Sequence, residues 1–316
     1  MSAFEFIPFD GTTKKLTFLT RQGETRVGNV LQQASLQKAK YILIGIEENA
    51  GPQANLGRPG SENAFSAFMR LFLNSQVHAQ FPAENIAYLG KIKQLKAPID
   101  QQEASCFVEE LDALLFQILQ DHVAADQVPI VVGGGHNNAL SLMKWASLKN
   151  PIGVVNIDAH ADLRTTEKRH SGNSFSTAIE KGWLAKYGVF GLHEAYNNQF
   201  IREKLQDNTI TYRYFEQYLQ GPFQLAEDVM NFIAHQQTSI GIEIDMDAIA
   251  NMPSSAQSPS GWRLDDIRAL LYKIGHLKTK IAYLNLTEAA PQTEQEDLLV
   301  GKALTYLVRD FIQANA

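Results

Sequence analysis

From residue 41 onward, short apolar runs alternate with helix-length segments, and this alternation limits what the chain can fold into. Residues 41–46, 86–89, 129–132, 153–157, 187–191, 239–245 and 281–286 read as strands, rich in Ile, Val, Leu and Tyr. Segments 61–76, 102–122, 136–147, 174–182, 223–236, 264–274 and 294–311 between them read as helices. Ser61 is placed to cap the first of these, and Thr293 with Glu296 fits a capping box on the last. Residues 47–60 read as a polar, glycine-rich loop. Strands separated by helices predict an α/β fold, a mostly parallel sheet covered on both faces. No internal repeat or linker interrupts the pattern, so residues 1–316 are expected to form one domain.

Composition removes several function classes. With 45% hydrophobic residues the chain can bury a large core, and disorder is not expected. A net charge of −6 without a dense basic block argues against nucleic acid or an anionic membrane as partner. The single cysteine, Cys106, excludes an intramolecular disulfide and a cysteine-based zinc cluster. Among Ala104, Phe107 and Val108 it reads as a packed thiol rather than a nucleophile. The N-terminus lacks the basic start and apolar stretch of a signal peptide, and no apolar run is long enough to span a bilayer. A cytoplasmic setting is therefore expected, by elimination.

The chemistry-bearing residues fall where these strands end. Asn156-Ile157-Asp158-Ala159-His160-Ala161-Asp162-Leu163-Arg164 sets Asp158, His160 and Asp162 at alternate positions, which project to one side of an extended backbone. Two carboxylates and an imidazole this close call for hydrogen-bonded partners or a cation. Asp245 and Asp247 repeat the alternate spacing after another strand. His136 follows Gly133-Gly134-Gly135, and Glu288 follows the last strand. Carboxyl ends of strands are where open α/β sheets build their sites. Taken singly, an Asp-X-Asp pair also suits a turn, and a histidine after glycines suits a helix start. Together, four aspartates and two histidines without thiolate suit two manganese ions sharing carboxylates. No Lys-Ser/Thr follows the glycines, so a phosphate loop is not expected.

These motifs resemble those of the arginase/agmatinase/formimidoylglutamase family, the ureohydrolases. Gly133-Gly134-Gly135-His136, Asp158-Ala159-His160-Ala161-Asp162 and Glu243-Ile244-Asp245-Met246-Asp247 carry the resemblance, with Gly57-Arg58-Pro59-Gly60 and Glu288-Ala289-Ala290-Pro291 extending it. It implies a three-layer α/β/α sandwich with a central, mostly parallel sheet. It further implies two Mn2+ per chain, one held by His136, Asp158, Asp162 and Asp245, the other by Asp158, His160, Asp245 and Asp247. Asp158 and Asp245 would bridge the pair. The implied reaction is attack of a metal-bridging hydroxide on a guanidinium or amidine carbon. Asp162 would move the proton, Glu288 would pair with the cationic head, and His160 would join them in the catalytic set.

Gly135 in place of the aspartate of arginases, and Arg164 two residues after Asp162, are similar to the formimidoylglutamase branch. Arg164 would suit a substrate carboxylate. Its alternative is a surface salt bridge. Arg58, His170, Ser171 and Asn173 are further candidate substrate contacts, the last three in a segment similar to the family's substrate loop. The expected reaction is hydrolysis of N-formimidoyl-L-glutamate to glutamate and formamide, a step of histidine degradation. A urea-releasing arginase, agmatinase or related guanidino hydrolase is one alternative, and a metal-binding pseudoenzyme or ligand-binding scaffold another. The resemblance also allows a homo-oligomer. Glu243 stands where the family usually has serine.

Overall fold

The structure, a computed structural model, describes residues 2–221, 225–277 and 279–314. Nine strands form one sheet: β1 (Phe4–Pro8), β2 (Tyr41–Glu47), β3 (Ile86–Gln94), β4 (Val128–Val132), β5 (Ile152–Ile157), β6 (Leu184–Leu192), β7 (Ile210–Tyr214), β8 (Ile240–Asp245) and β9 (Ile281–Thr287). Their spatial order is β1-β3-β2-β4-β9-β8-β5-β6-β7. Among the described strands only β1 against β3 is antiparallel. The other neighbours run parallel. Strands β2, β4, β5, β8 and β9 are buried along their full length. They need cover on both faces and receive it.

One face packs against helices Ala64–Phe72, Leu225–Ala234, Leu264–Gly275 and Glu294–Ala314 through residues such as Phe68, Ile233, Leu271 and Leu304. The other packs against Gln101–His122, Ala139–Ala146 and Ser174–Glu180 through Leu111, Leu142 and Phe175. The result is the expected α/β/α sandwich. Each fully buried Leu, Ile or Phe contributes about 1.5–3 kcal/mol, so these two apolar layers dominate the stabilisation. Among the described residues no helix is long and apolar enough to cross a membrane.

Several local expectations change. The edge strands β1 and β7 were not expected. Their half-exposed residues mix polar and aromatic side chains, leaving no continuous apolar run to mark them. Strand β3 does not end at Gly90 but runs through it, with a register shift against β2 at that point. The glycine marks a bulge rather than a terminus. Ser61 is not a helix cap: its hydroxyl donates to the Glu48 carbonyl, and a 3-10 turn precedes the α-helix that starts at Ala64. The Thr293–Glu296 capping box forms in both directions. A short helix, Ala50–Ala54, lies inside the expected loop, despite a glycine and a proline. The start expected for helix 223–236 lies outside the described residues; its described part begins at Leu225. Cys106 is exposed, not packed. Ala104, Ser105, Phe107, Val108 and Leu111 make the buried face, and Cys106 projects off it.

Candidate metal centre

The four strands carrying the predicted ligands are adjacent at the middle of the sheet, in the order β4-β9-β8-β5. At the boundary of β8 and β5 the connections diverge, β8 leading to β9 on one side and β5 to β6 on the other, and such a switch point opens a crevice at the carboxyl ends. His136 follows β4, Glu288 follows β9, Asp245 and Asp247 stand at and after the end of β8, and Asp158, His160 and Asp162 follow β5.

The glycine turn after β4 is shaped by two buried carboxylates. Gly133 and Gly134 have φ of 95° and 71°, a region that disfavours side chains. Glu48, fully buried after β2, accepts the Gly135 amide at 2.6 Å and the Gly51 amide at 3.0 Å. Burial pushes its carboxyl up, against the pull of these hydrogen bonds. Glu288 accepts the His136 amide at 2.7 Å. A Cβ on Gly135 would lie 2.4 Å from Pro52 Cδ, so the aspartate of arginases has no room here.

The two Asp-X-Asp segments are turns and ligand arrays at once. Asp158 Oδ1 accepts the His160 amide at 2.7 Å, and Oδ2 accepts from Asn156 Nδ2 at 2.9 Å. Asp245 Oδ1 likewise accepts the Asp247 amide at 2.8 Å. Asp162 and Glu288 both take left-handed backbone conformations, φ 50° and 65°, as non-glycine residues rarely do. The turns thus aim these carboxylates into the crevice at a cost in backbone strain.

Two groups of donors result. His136, Asp158, Asp162 and Asp245 each offer a ligand atom within 4.8 Å of one another, and so do Asp158, His160 and Asp247. Asp158 belongs to both. Asp245 falls in the first group only, where both had been expected to be shared. His136 Nδ1 lies 3.3, 3.0 and 3.2 Å from Asp158, Asp162 and Asp245, and His160 Nδ1 lies 3.0 Å from Asp247.

The electrostatics ask for positive charge. Burial pushes Asp245 well above the usual carboxylate range, reinforced by repulsion from Asp247 and Asp158. Asp162 is raised by burial and by Asp158. Asp158 is held low: burial opposes ionisation, but His136 and His160 outweigh it. His136 Nδ1 and Asp247 Oδ1 are buried without a hydrogen-bond partner. Unsatisfied donor atoms among mutually repelling carboxylates fit divalent cations, and an oxygen-rich set with imidazole suits manganese.

Of these groups His160, Asp162, Asp245 and Asp247 open onto a cavity of about 220 Å³ that Glu288, Arg164, Ser171, Asn55, Tyr196 and Ser255 also line. Glu288 is buried, with its carboxyl pushed up to about 7 by burial, against the pull of the Ser255 hydroxyl. Its Oε2 has no hydrogen-bond partner. Arg164 is exposed, and among the described residues no carboxylate pairs with its guanidinium, so the alternative of a surface salt bridge does not arise.

Other expected contacts lie elsewhere. Arg58 is absent from the lining, its guanidinium held by Gln257 at 3.1 Å and Glu296 at 3.5 Å. Asn173 is buried as a brace for its own loop, donating to the carbonyls of Thr165 and Lys168 and accepting from Arg169. Arg169 is pinned in turn by Asp112. His170 lines a neighbouring hollow, and its Nδ1 accepts the Gly172 amide at 3.1 Å. Asn55, Tyr196, Ser255 and Glu48 were not anticipated. Tyr196 stacks on His160 at 5.3 Å; it lies in the segment after the expected strand 187–191, but no motif marks it.

A central-sheet α/β/α sandwich with a carboxylate-rich candidate cation site at its switch point is the class that fold and site define. Residues 27–312 match the model of the arginase family, and the chain belongs to that family. It is 27% identical over 278 residues to formimidoylglutamase of Vibrio cholerae, covering 81% of this chain and 78% of that one. With formimidoylglutamase of Staphylococcus carnosus the identity is 26% over 283 residues, 87% of each chain. The solved formimidoylglutamase of Bacillus subtilis superposes with a TM-score of 0.79 at 17% identity, covering 94% and 93%. Trypanosoma cruzi formiminoglutamase with Mn2+ gives 0.73 at 18%, covering 92% and 99%. At these identities the superpositions speak for the fold.

Proposed function

We propose that this protein is a dimanganese amidinohydrolase that converts N-formimidoyl-L-glutamate and water to L-glutamate and formamide. The observation that carries the reading is one cavity in which an unpartnered carboxylate oxygen and an unpaired guanidinium accompany the cation-binding groups. A linear amidine with an amino-acid end is complementary to both. The similarity to formimidoylglutamases, named above, supports the same substrate.

His136, Asp158, Asp162 and Asp245 would hold one ion, and His160 and Asp247 with the shared Asp158 the other. When bound, the ions supply a nucleophile near pH 7 by lowering the pKa of water. Glu288 Oε2 accepts an N–H of the amidinium and orients its carbon. Asp162 accepts the proton of the attacking water and delivers it to the glutamate nitrogen as the carbon–nitrogen bond breaks. Arg164 binds a substrate carboxylate through its forked N–H donors. Ser171, with Asn55 donating to its hydroxyl at 3.3 Å, offers a polar contact on the same wall. A cytoplasmic, homo-oligomeric enzyme belongs to this reading, and size-exclusion chromatography with light scattering tests the second part.

The deciding assay presents the manganese-loaded protein with N-formimidoyl-L-glutamate, arginine and agmatine, and measures formamide and urea. Formamide from the first alone is expected. Urea from either guanidine without formamide would overturn the substrate assignment. Neither product, with no manganese bound, would point to the scaffold alternative.

A further inference from the structure

Beneath the ligand layer lies a second buried layer of polar side chains. Asn156, Glu243 and Asn285 stand in register across β5, β8 and β9, two residues before Asp158, Asp245 and Thr287 in the chain. All three are fully buried. Glu243 belongs to neither ligand group, yet it brings a carboxyl into the centre of the protein. Its Oε2 accepts from Asn285 Nδ2 at 2.7 Å and lies 3.5 Å from His136 Nε2. Glu243 Oε1, the Tyr283 hydroxyl and His136 Nε2 are all buried without a hydrogen-bond partner among the described residues. Gly241 makes space for the tyrosine: a Cβ there would fall 2.5 Å from its hydroxyl.

The two nitrogens of His136 face opposite tasks. Nδ1 points at Asp158, Asp162 and Asp245, the donors of one cation group. To ligate, it must present a lone pair, which places the ring proton on Nε2. That N–H points into the lower layer, where Glu243 is the one carboxylate within reach among the described residues. A metal-bound histidine whose other N–H meets a carboxylate is fixed in tautomer and ring orientation.

We infer that Glu243 is a positioning residue of the metal centre: its carboxylate takes the His136 Nε2–H and directs Nδ1 at the cation. Asn285 holds Glu243 by its amide, and the Tyr283 hydroxyl lies beside them. The departure from the family's serine at this position is then a substitution in the support of the site, not a lost ligand. The inference rests on the proposed metal reading, and its test separates the two.

Manganese affinity is measured for the parent, Glu243→Ala and Glu243→Gln by chelator competition, with free Mn2+ read by electron paramagnetic resonance. In Glu243→Ala one ion, that of the His136 group, is expected to weaken by about 10- to 100-fold, while the other keeps its affinity. Glu243→Gln retains an acceptor oxygen and recovers most of the loss. Equal weakening of both ions, or parent-like affinity in Glu243→Ala, overturns the inference. If Glu243→Ala does not fold, 15N NMR of His136 in the parent, loaded with diamagnetic Zn2+, decides. A strongly downfield Nε2–H proton, the mark of a hydrogen bond to a carboxylate, supports the inference; an Nε2–H without that shift, or protonation at Nδ1, overturns it. A parent that binds no manganese would instead overturn the proposed function.

Discussion

On the proposed function, removing the Arg164 guanidinium should separate recognition of the substrate's acid end from the chemistry at the candidate metal centre. The side chain is exposed at the cavity rim, with no carboxylate partner among the described residues to compete for it. Its amide bonds to the Gly172 carbonyl at 3.0 Å, a contact alanine keeps, so Arg164→Ala should leave the loop in place. Hydrogen bonds to charged groups contribute about 1.5–3 kcal/mol each, and solvent screening puts an exposed pair near the lower figure. A loss of about 1.5 kcal/mol corresponds to roughly a tenfold rise in KM for N-formimidoyl-L-glutamate. Because this contact is made equally in ground and transition states, kcat should change little. Arg164→Lys should recover only part, since a point charge replaces a fork. Steady-state kinetics with this substrate beside N-alkylformamidines that lack a carboxylate is the assay. An equal loss for both substrate types would refute the assignment of Arg164 as the carboxylate anchor.

Three further outcomes follow from the same geometry. Chelation should lower the thermal midpoint, because four aspartates are left without cations, and each tenfold rise in free Mn2+ above Kd should add about 1.4 kcal/mol per site; a midpoint independent of Mn2+ would contradict this. Gly135→Ala places a methyl 2.4 Å from Pro52 Cδ and 2.5 Å from Asn137 Oδ1. Overpacking of this kind costs about 1–3 kcal/mol, measurable as a lower urea midpoint. His170 is held down to about 4, by burial and then by the charges of Arg164 and Arg169. Between that value and the usual 6.5 the unfolded chain binds more protons than the folded one, so this contribution is complete above 6.5 and is lost as pH falls toward about 4. His170→Gln should flatten that part of the stability profile between pH 7 and pH 5, and an identical profile in parent and variant would count against it.

What was legible in the sequence had a short-range cause. Asp158, His160 and Asp162 announce themselves because alternate positions share a side, and Asp245 with Asp247 do the same. Central strands are mostly apolar because both faces are covered, and they are legible for that reason; edge strands β1 and β7 are half solvated and are not. Cys106 was misread because its apolar neighbours occupy one helical face while it projects off that face. Arg58 sits in a motif that suggests a substrate contact, and only the fold shows Glu296 and Gln257 claiming it.

The sequence by itself determined the layered α/β class and six of the residues that gather at the cation site, since strand periodicity and ligand chemistry are properties of neighbouring residues. Tertiary structure decided which strands stand side by side. Strands β8 and β9 insert between β4 and β5, and that crossover brings His136 within 3.3 Å of Asp158 and within 3.2 Å of Asp245. It also decided the supporting contacts: Glu48 on the Gly135 amide, Glu243 behind His136, and Tyr196 on His160. These join residues far apart in the chain, and no local pattern records a distance that only folding closes.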